Sequence, residues 1–187
     1  KGYGLVVYNV SSLVKSGDNL VTISKNSGKS AVYPSSLLIL TNNNESETTK
    51  NVYIAENADL LAKTYSKNLT VGANTQFNDI DVYHAINATL YVFAASAQNG
   101  EGNIIFNDVT SENVWNGTSN SINSYEMDIT DIVDESNSLF FESTGSTILA
   151  LHQIIVVEYE SYIVVDAPDV EKYFKGSERF VVNVTDN

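Results

Sequence analysis

Apolar and polar residues alternate in short runs along most of the chain, which is the pattern of half-buried β-strands. The clearest runs cover residues 4–10, 20–24, 31–40, 75–82, 85–94, 102–106, 139–143 and 147–159. Glycine, asparagine and serine separate them and are the residues that turns favour. Short strands at this spacing predict an all-β fold of antiparallel β-sandwich or jelly-roll units.

One stretch has a helical pattern. Residues 56–65 (ENADLLAKTY) are long enough for about two turns, and Asn57 is a candidate N-cap. The chain lacks the repeated crossover helices that a parallel α/β sheet needs, so we set that class aside. The run at residues 37–40 (LLIL) is apolar on both faces and predicts a central strand.

One sequence pattern occurs twice in the chain. Residues 8–14 (YNVSSLV) match residues 127–133 (MDITDIV) with an offset of 119 (128 − 9 = 119), and Leu20 matches Leu139 with the same offset (139 − 20 = 119). The apolar runs 37–40 and 154–157 match with an offset of 117 (154 − 37 = 117). The slip falls in a turn region, where insertions are tolerated. A repeat of this kind predicts two homologous β units in tandem.

The two units differ in how much sequence precedes the shared pattern. We expect residues 1–50 to be the C-terminal part of a first sandwich unit, residues 51–160 to be a second unit, and residues 161–187 to be a linker with the first strands of an immunoglobulin-like module. An incomplete unit exposes strand edges and an apolar face. The chain is then a fragment, or the partner of a separate chain with the missing strands. A third alternative is a subunit whose residues 171–187 act as a donor strand for the next copy.

Composition excludes several function classes. The formal net charge is −13, which disfavours binding to nucleic acid. The sequence has no cysteine, so disulfides, thiol catalysis and thiolate metal sites are impossible. No apolar run reaches the ~18 residues of a membrane helix, and we expect no membrane span in this chain.

Asparagine sequons point to an extracellular location. Six Asn-x-Ser/Thr motifs are present, which modestly favours a glycosylated protein at the cell surface. They are Asn9, Asn44, Asn68, Asn87, Asn116 and Asn183. Asn44 and Asn116 lie in turn-like sequence and are the better acceptors, whereas Asn9, Asn87 and Asn183 lie in strand patterns.

Two groups of residues are candidate binding sites. Asp128, Asp131 and Asp134 offer the hard oxygen ligands of a structural Ca²⁺ site, and the alternative is a solvated acidic face. The Trp115 ring could stack on a sugar, with Asn113, Asn107 and Asp108 bonding its hydroxyl groups. The alternative is a tryptophan of the core or the sheet edge.

Catalytic patterns are absent from the sequence. The two histidines, His84 and His152, have no metal-ligand spacing and read as satisfied structural residues. No nucleophile elbow, phosphate loop or dinucleotide fingerprint occurs. We therefore expect no enzyme activity and no cofactor beyond the candidate Ca²⁺.

Several of these segments resemble a known protein family in order and spacing. They are residues 3–13 (YGLVVYNVSSL), 15–19 (KSGDN), 53–61 (YIAENADLL), 87–91 (NATLY) and 105–107 (IFN). They resemble the C-terminal part of a β domain in adhesin-like surface proteins of methanogenic archaea. Residues 170–186 (VEKYFKGSERFVVNVTD) resemble the opening of the immunoglobulin-like repeat that follows it.

The resemblance implies a non-catalytic structural or adhesive module of an extracellular archaeal surface protein or filament. Such a module serves as a stalk or assembles through β-strand complementation. Its expected partners are other copies of itself, the missing N-terminal part of the same protein, or cell-surface glycans. A carbohydrate-binding jelly-roll module is the alternative function.

Overall fold

The computed structural model describes residues 5–24, 28, 36–41, 48–63, 69–119 and 121–160. Within these ranges the chain forms nine β-strands and no helix. The strands are β1 Thr48–Ala55, β2 Asp59–Leu61, β3 Gly72–Phe77, β4 Ala85–Ala95, β5 Asn103–Phe106, β6 Val109–Ser111, β7 Ile122–Asp128, β8 Asn137–Glu142 and β9 Ile148–Glu160. The predicted all-β class is confirmed.

The strands form two antiparallel sheets. The first sheet has the order β1-β9-β4-β7, and β2 extends the β1 edge by pairing with the other end of β9. The second sheet has the order β3-β8-β5-β6. Since β3, β5 and β8 each lie between strands of the first sheet in the sequence, most connections cross from one layer to the other. This arrangement is a β-sandwich.

The core lies between the two sheets and follows the period of two along each strand. Leu90 and Val92 of β4 alternate with outward residues, as do Ile155 and Val157 of β9. The second sheet contributes Ile104, Phe106, Leu139 and Phe141 to the same cluster. Burial of these large apolar side chains is the main driving force for the sandwich.

The predicted helix at residues 56–65 is wrong over the residues that the structure describes. Asp59–Leu61 forms β2 against β9. The amide of Asn57 donates to Thr75 Oγ1 (2.7 Å) and to Gln153 Oε1 (3.1 Å), so it ties this segment to both sheets instead of capping a helix. Gln153 is buried, and its polar atoms are also satisfied by Thr75, whose hydroxyl donates to Oε1 (3.0 Å), and by the Leu151 carbonyl, which accepts from its amide (2.7 Å). Tertiary contacts thus override the local preference.

The N-terminal segment contains no strand in its described residues, 5–24, 28 and 36–41. The strands predicted there are therefore wrong for these residues in this structure. The large apolar side chains of the segment are exposed; among them are Val6, Tyr8, Leu13, Leu20, Val21, Ile23 and residues 37–40. Strands need a ladder partner to be stable. The division of the chain into units remains a prediction, and residues 161–187 lie outside the described ranges.

A buried carboxylate joins two loops at one end of the sandwich. Glu101 accepts hydrogen bonds from Gln98 N–H (2.5 Å), Ser146 N–H (2.7 Å) and Ser146 Oγ (2.6 Å). A Cβ at Gly145 would lie 2.7 Å from the Glu101 Oε2 atom, so a side chain there would crowd the carboxylate. The carboxylate is satisfied by these donors, which makes it a structural crosslink.

A pair of tyrosines closes the opposite end of the core. The Tyr159 hydroxyl donates to the Asp81 carbonyl, and Asp81 N–H donates to the Tyr53 hydroxyl (3.0 Å). Burial, followed by the hydrogen bond with Tyr53, raises the pKa of Tyr159 to about 12. The neutral phenol is therefore the form that the fold favours.

We predict that this tyrosine limits stability at alkaline pH. Because the pKa of Tyr159 is raised to about 12 on folding, its contribution is complete below the unfolded value of ~10 and is lost as the pH rises from there towards 12. Urea unfolding should show a steeper loss of stability above pH 10 in the unmodified chain than in Tyr159→Phe. Tyr83→Phe, at an exposed ring, is the control. Equal alkaline slopes for the unmodified chain and Tyr159→Phe would refute this.

Candidate functional site

The turn between β7 and β8, residues 128–137 (the β7–β8 turn), has a defined hydrogen-bond pattern. The Asp128 carboxylate accepts from Thr130 N–H (3.0 Å) and from the Thr130 hydroxyl (2.7 Å). These bonds, the hydroxyl first, lower the pKa of Asp128. The Ile129 carbonyl then accepts from Ile132 N–H (3.0 Å) and Val133 N–H (2.8 Å). The chain thus makes one tight turn directly after β7.

An asparagine closes the end of this turn. The Asn137 side-chain oxygen accepts from Asp134 N–H (2.8 Å), and its amide nitrogen donates to the Asp134 carbonyl (2.5 Å). Asn137 is buried, so the loop is anchored into the sandwich at the first residue of β8.

The first copy of the sequence pattern forms the same turn. In residues 9–19 (the N-terminal turn), Ser11 N–H donates to Asn9 Oδ1 (3.1 Å). The Val10 carbonyl accepts from Leu13 N–H (2.8 Å) and Val14 N–H (3.1 Å). All three bonds join positions that lie 119 residues before their counterparts in the β7–β8 turn. The repeat is therefore present in the structure as well as in the sequence.

The closing asparagine is repeated too, with one residue more in the loop. Asn19 accepts from Lys15 N–H (2.9 Å) and donates to the Lys15 carbonyl (2.8 Å), as Asn137 does with Asp134. The offset changes here from 119 (134 − 15) to 118 (137 − 19). Half of the two-residue slip therefore falls inside this loop, and the expected match of Leu20 with Leu139 is shifted by one residue.

The corrected offset changes which residues of the N-terminal segment correspond to core positions. Val21 now matches Leu139 (139 − 21 = 118), and Ile23 matches Phe141 (141 − 23 = 118). Leu139 and Phe141 are each 1% exposed in the sandwich, whereas Val21 is 71% and Ile23 is 55% exposed. We call the β7–β8 copy closed, because these apolar side chains are buried there, and the N-terminal copy open, because they are exposed there.

Three elements of the sandwich close the β7–β8 turn. In strand β4, the Ala88 carbonyl accepts a hydrogen bond from Ile129 N–H (2.9 Å), and Ala88 N–H donates to the Thr130 hydroxyl (3.0 Å). The Glu135 carbonyl accepts from Ile80 N–H (3.1 Å) in the segment between β3 and β4. The third element is the β5–β6 hairpin.

Asn107 docks this hairpin on the turn. Its side-chain amide donates to the Ile132 carbonyl (2.8 Å) and to Asn137 Oδ1 (3.0 Å), and its side-chain oxygen accepts from Ser138 N–H (2.9 Å). Asn107 adopts a left-handed backbone conformation (φ 51°), which asparagine tolerates in a two-residue hairpin turn. Its polar atoms are engaged within the protein, so the amide is not free for a sugar.

A pocket of about 480 Å³ opens beside this contact, between the β5–β6 hairpin and the β7–β8 turn. Its lining is mostly polar and consists of Asn107, Asp108, Val109, Ile132, Asp134, Ser136 and Ser138. Two predicted sugar-binding residues, Asn107 and Asp108, thus lie beside Asp134, which was predicted as a metal ligand.

The structure does not provide the predicted aromatic platform. Trp115 is 1% exposed, and its ring packs on Phe141 with the ring centroids 5.2 Å apart. A Cβ at Gly102 would lie 2.4 Å from the Trp115 ring, so the glycine makes room for it. The expected stacking of Trp115 on a sugar is therefore wrong for this structure, because the ring has no open face. Asn113 is exposed but does not line the pocket.

The predicted metal ligands are not gathered into a site. No group of three or more histidine, aspartate or glutamate side chains that could hold a metal occurs within the described ranges. Asp128 is engaged by Thr130, and Asp134 accepts from Glu135 N–H (2.7 Å). The carboxylates of Asp128 and Asp134 bond to the turn itself, and the structure does not bring Asp128, Asp131 and Asp134 together as a metal site.

Three of the sequon asparagines are described, and all three are exposed. Asn9 begins the N-terminal turn, Asn87 accepts from the Thr130 hydroxyl (3.1 Å) in β4, and Asn116 follows the buried Trp115. Asn44, Asn68 and Asn183 lie outside the described residues. Glycosylation itself remains a prediction.

The histidines occupy different environments. His152 lies in β9 with its ring edge-on to Phe93 (centroids 6.5 Å apart). His84 lies in the turn before β4 and packs on Tyr83 (centroids 4.0 Å apart). The sequence reading missed the buried polar residues Glu101 and Gln153, since their partners lie far away in the sequence.

The fold and the repeated turn define an antiparallel β-sandwich that carries a second, open copy of its own β7–β8 turn. A family model described as "Protein of unknown function (DUF3344)" matches residues 2–158, and the chain belongs to this family. The match includes both turns. No curated protein matches the chain. No helix in the described part of the chain is long and apolar enough to cross a membrane.

We predict that removing the corresponding hydroxyl group destabilises the protein in the β7–β8 turn but not in the N-terminal turn. Thr130→Val removes the acceptor of the buried Ala88 N–H, which should cost about 1–3 kcal/mol in the free energy of unfolding. Ser11→Ala is the matched change in the N-terminal turn and should change stability by less than ~0.5 kcal/mol. Urea denaturation of both variants measures this. Equal losses would show that the two turns are equally closed.

Proposed function

We propose that this chain is a non-catalytic structural and adhesive module of an extracellular surface protein or filament, and that it assembles through β-strand complementation. The observation that carries the proposal is the repeated turn, which is closed by partner strands in the sandwich and open in the N-terminal segment. Exposed strand-forming segments with apolar side chains are surfaces on which other strands assemble.

Several features of the sequence support the surface location. The chain has no cysteine and few charged residues, and it carries six sequons, a combination typical of exported β-rich proteins. The resemblance to adhesin-like surface proteins of methanogenic archaea favours an archaeal stalk or filament. The immunoglobulin-like pattern at residues 170–186 fits a protein made of β modules in tandem.

The open segment also supports assembly energetically. Val21 and Ile23 correspond to two of the most buried side chains of the sandwich. Burying a side chain of this size contributes about 1.5–3 kcal/mol. A strand that covered both would therefore gain several times the thermal energy, which offsets part of the cost of association.

We predict concentration-dependent association of the purified chain through this segment. Sedimentation velocity over a range of concentrations should show assembly, and the double variant Val21→Ser with Ile23→Ser should weaken it at least tenfold. The matched control is Leu20→Ser. Leu20 is 93% exposed, and it corresponds to Ser138 (138 − 20 = 118), which faces solvent in the sandwich.

The control separates complementation from non-specific stickiness. Non-specific association follows exposed apolar area, so Leu20→Ser, which removes an almost fully exposed leucine, would weaken it as well. Complementation requires that Leu20→Ser leave assembly unchanged. A chain that stays monomeric at high concentration would contradict self-assembly.

The pocket favours a second candidate function, the binding of a carbohydrate. Its volume of about 480 Å³ lies in the usual range for small-molecule sites, and Asp108, Asp134, Ser136 and Ser138 offer acceptors and donors for sugar hydroxyls. This version differs from the sequence-based hypothesis because it does not use Trp115.

We predict that a glycan which binds this pocket depends on its carboxylates. Asp108→Ala combined with Asp134→Ala should weaken binding at least tenfold, as measured by calorimetry with a hit from a broad glycan array. Asp131→Ala removes an exposed carboxylate of the same turn that does not line the pocket, and it should have no effect. An array without hits would rule out this function.

A further inference from the structure

The closed turn shows what kind of strand the open turn lacks. In the sandwich, Ile129 N–H donates to the Ala88 carbonyl (2.9 Å), and the Thr130 hydroxyl accepts from Ala88 N–H (3.0 Å). The turn therefore holds one residue of β4 by both of its backbone groups. That residue is an alanine, and its small side chain is buried.

Strand β7 continues this contact along β4. The two strands are antiparallel, with Leu90 opposite Met127 and Val92 opposite Tyr125. Leu90 and Val92 are buried, and Met127 and Tyr125 pack against the same core. A small residue followed by apolar residues two and four positions later is thus the pattern that the β7–β8 turn receives.

The N-terminal segment keeps the groups that would receive such a strand. Val10 N–H corresponds to Ile129 N–H, and the Ser11 hydroxyl corresponds to that of Thr130. Neither group has a hydrogen-bond partner within the described part of the chain. The Asn9–Ser11 bond that orients them is already formed (3.1 Å). The receiving groups are therefore preorganised, which lowers the cost of binding.

The apolar positions before the turn correspond as well. Tyr8 matches Met127 (127 − 8 = 119), and Val6 matches Tyr125 (125 − 6 = 119). Both side chains are exposed here. Val21 and Ile23 likewise correspond to core positions of the sandwich. We call the six residues that correspond to the closed contact the acceptor surface: Val6, Tyr8, Val10, Ser11, Val21 and Ile23.

We propose that the acceptor surface binds an extended β-strand with the pattern of β4: a small residue held by Val10 N–H and the Ser11 hydroxyl, with apolar residues two and four positions later facing Tyr8 and Val6. The strand runs antiparallel to residues 5–9. The proposal rests on the proposed function and deepens it, because it names the partner by its pattern. The proposed partner is a strand of another chain, and β4 of the same chain cannot supply it because it is engaged with β7 and β9.

The sequence of β4 itself supplies the probe. A synthetic peptide of residues 85–95 (AINATLYVFAA), with a lysine tag for solubility and a fluorophore, is titrated with the full chain and followed by fluorescence anisotropy. We expect saturable binding. Exchanging the peptide residue Leu90 for Asp should weaken binding at least tenfold, because that side chain faces the core. Exchanging Tyr91 for Lys should change it less than twofold, because Tyr91 points to the other face.

Variants of the chain locate the binding site. Val6→Ser with Tyr8→Ser should weaken peptide binding at least tenfold, and Val7→Ser, whose counterpart Glu126 faces solvent (126 − 7 = 119), should leave it unchanged. No binding, or equal effects of Leu90→Asp and Tyr91→Lys in the peptide, would overturn the proposal. Equal binding of the peptide to the unmodified chain, the Val6→Ser/Tyr8→Ser variant and Val7→Ser would also overturn it, because the peptide would then bind to the sandwich and not to the N-terminal segment.

The outcome is separable from that of self-assembly. If the chain polymerises, but does not bind the peptide and its polymerisation is not blocked by the peptide, the proposed function stands and the acceptor surface is refuted. If the chain stays monomeric but binds the peptide with the expected residue dependence, self-assembly is refuted and the acceptor surface stands.

Discussion

The sandwich depends on the hydrogen bonds between the β7–β8 turn and Ala88. Ile129 N–H donates to the Ala88 carbonyl, and the Thr130 hydroxyl accepts from Ala88 N–H, so both backbone groups of this residue are bonded to the turn. Because buried backbone groups must find partners, the contact fixes the register of β4 against β7 and sets where β8 begins. Asn107 and Asn137 then lock the β5–β6 hairpin to the same turn. One short turn thereby connects both sheets.

The same turn in the N-terminal segment has its local bonds, but no partner strand pairs with it among the residues that the structure describes. Its internal bonds form because they join residues at most four positions apart, and such contacts need no other strand. The strands on either side depend on distant partners, and the described residues of this segment are not paired into strands. The difference between the two copies is therefore one of long-range contacts and not of local sequence.

Local pattern predicted the fold class and the repeat, because alternation and turn residues are local properties. It failed where distant contacts decide. Residues 56–61 have a helical pattern, but Asn57 bonds to Gln153 and Asp59–Leu61 forms a strand. Trp115 stands among turn-like polar residues, but the fold buries it. The pocket could be predicted only in part, since Asn107 and Asp134 are adjacent only once the hairpin has docked.

Hydrogen exchange of two backbone amides tests the central claim most directly. Ile129 N–H is bonded to Ala88 in the core, so its exchange should be slowed by several orders of magnitude and should approach the rate of global unfolding. Val10 N–H should exchange almost as fast as in an unfolded peptide in the monomeric chain, and it should become protected when a β4-like strand is bound. Strong protection of Val10 in the isolated monomer would contradict the account, because the N-terminal turn would then already be closed.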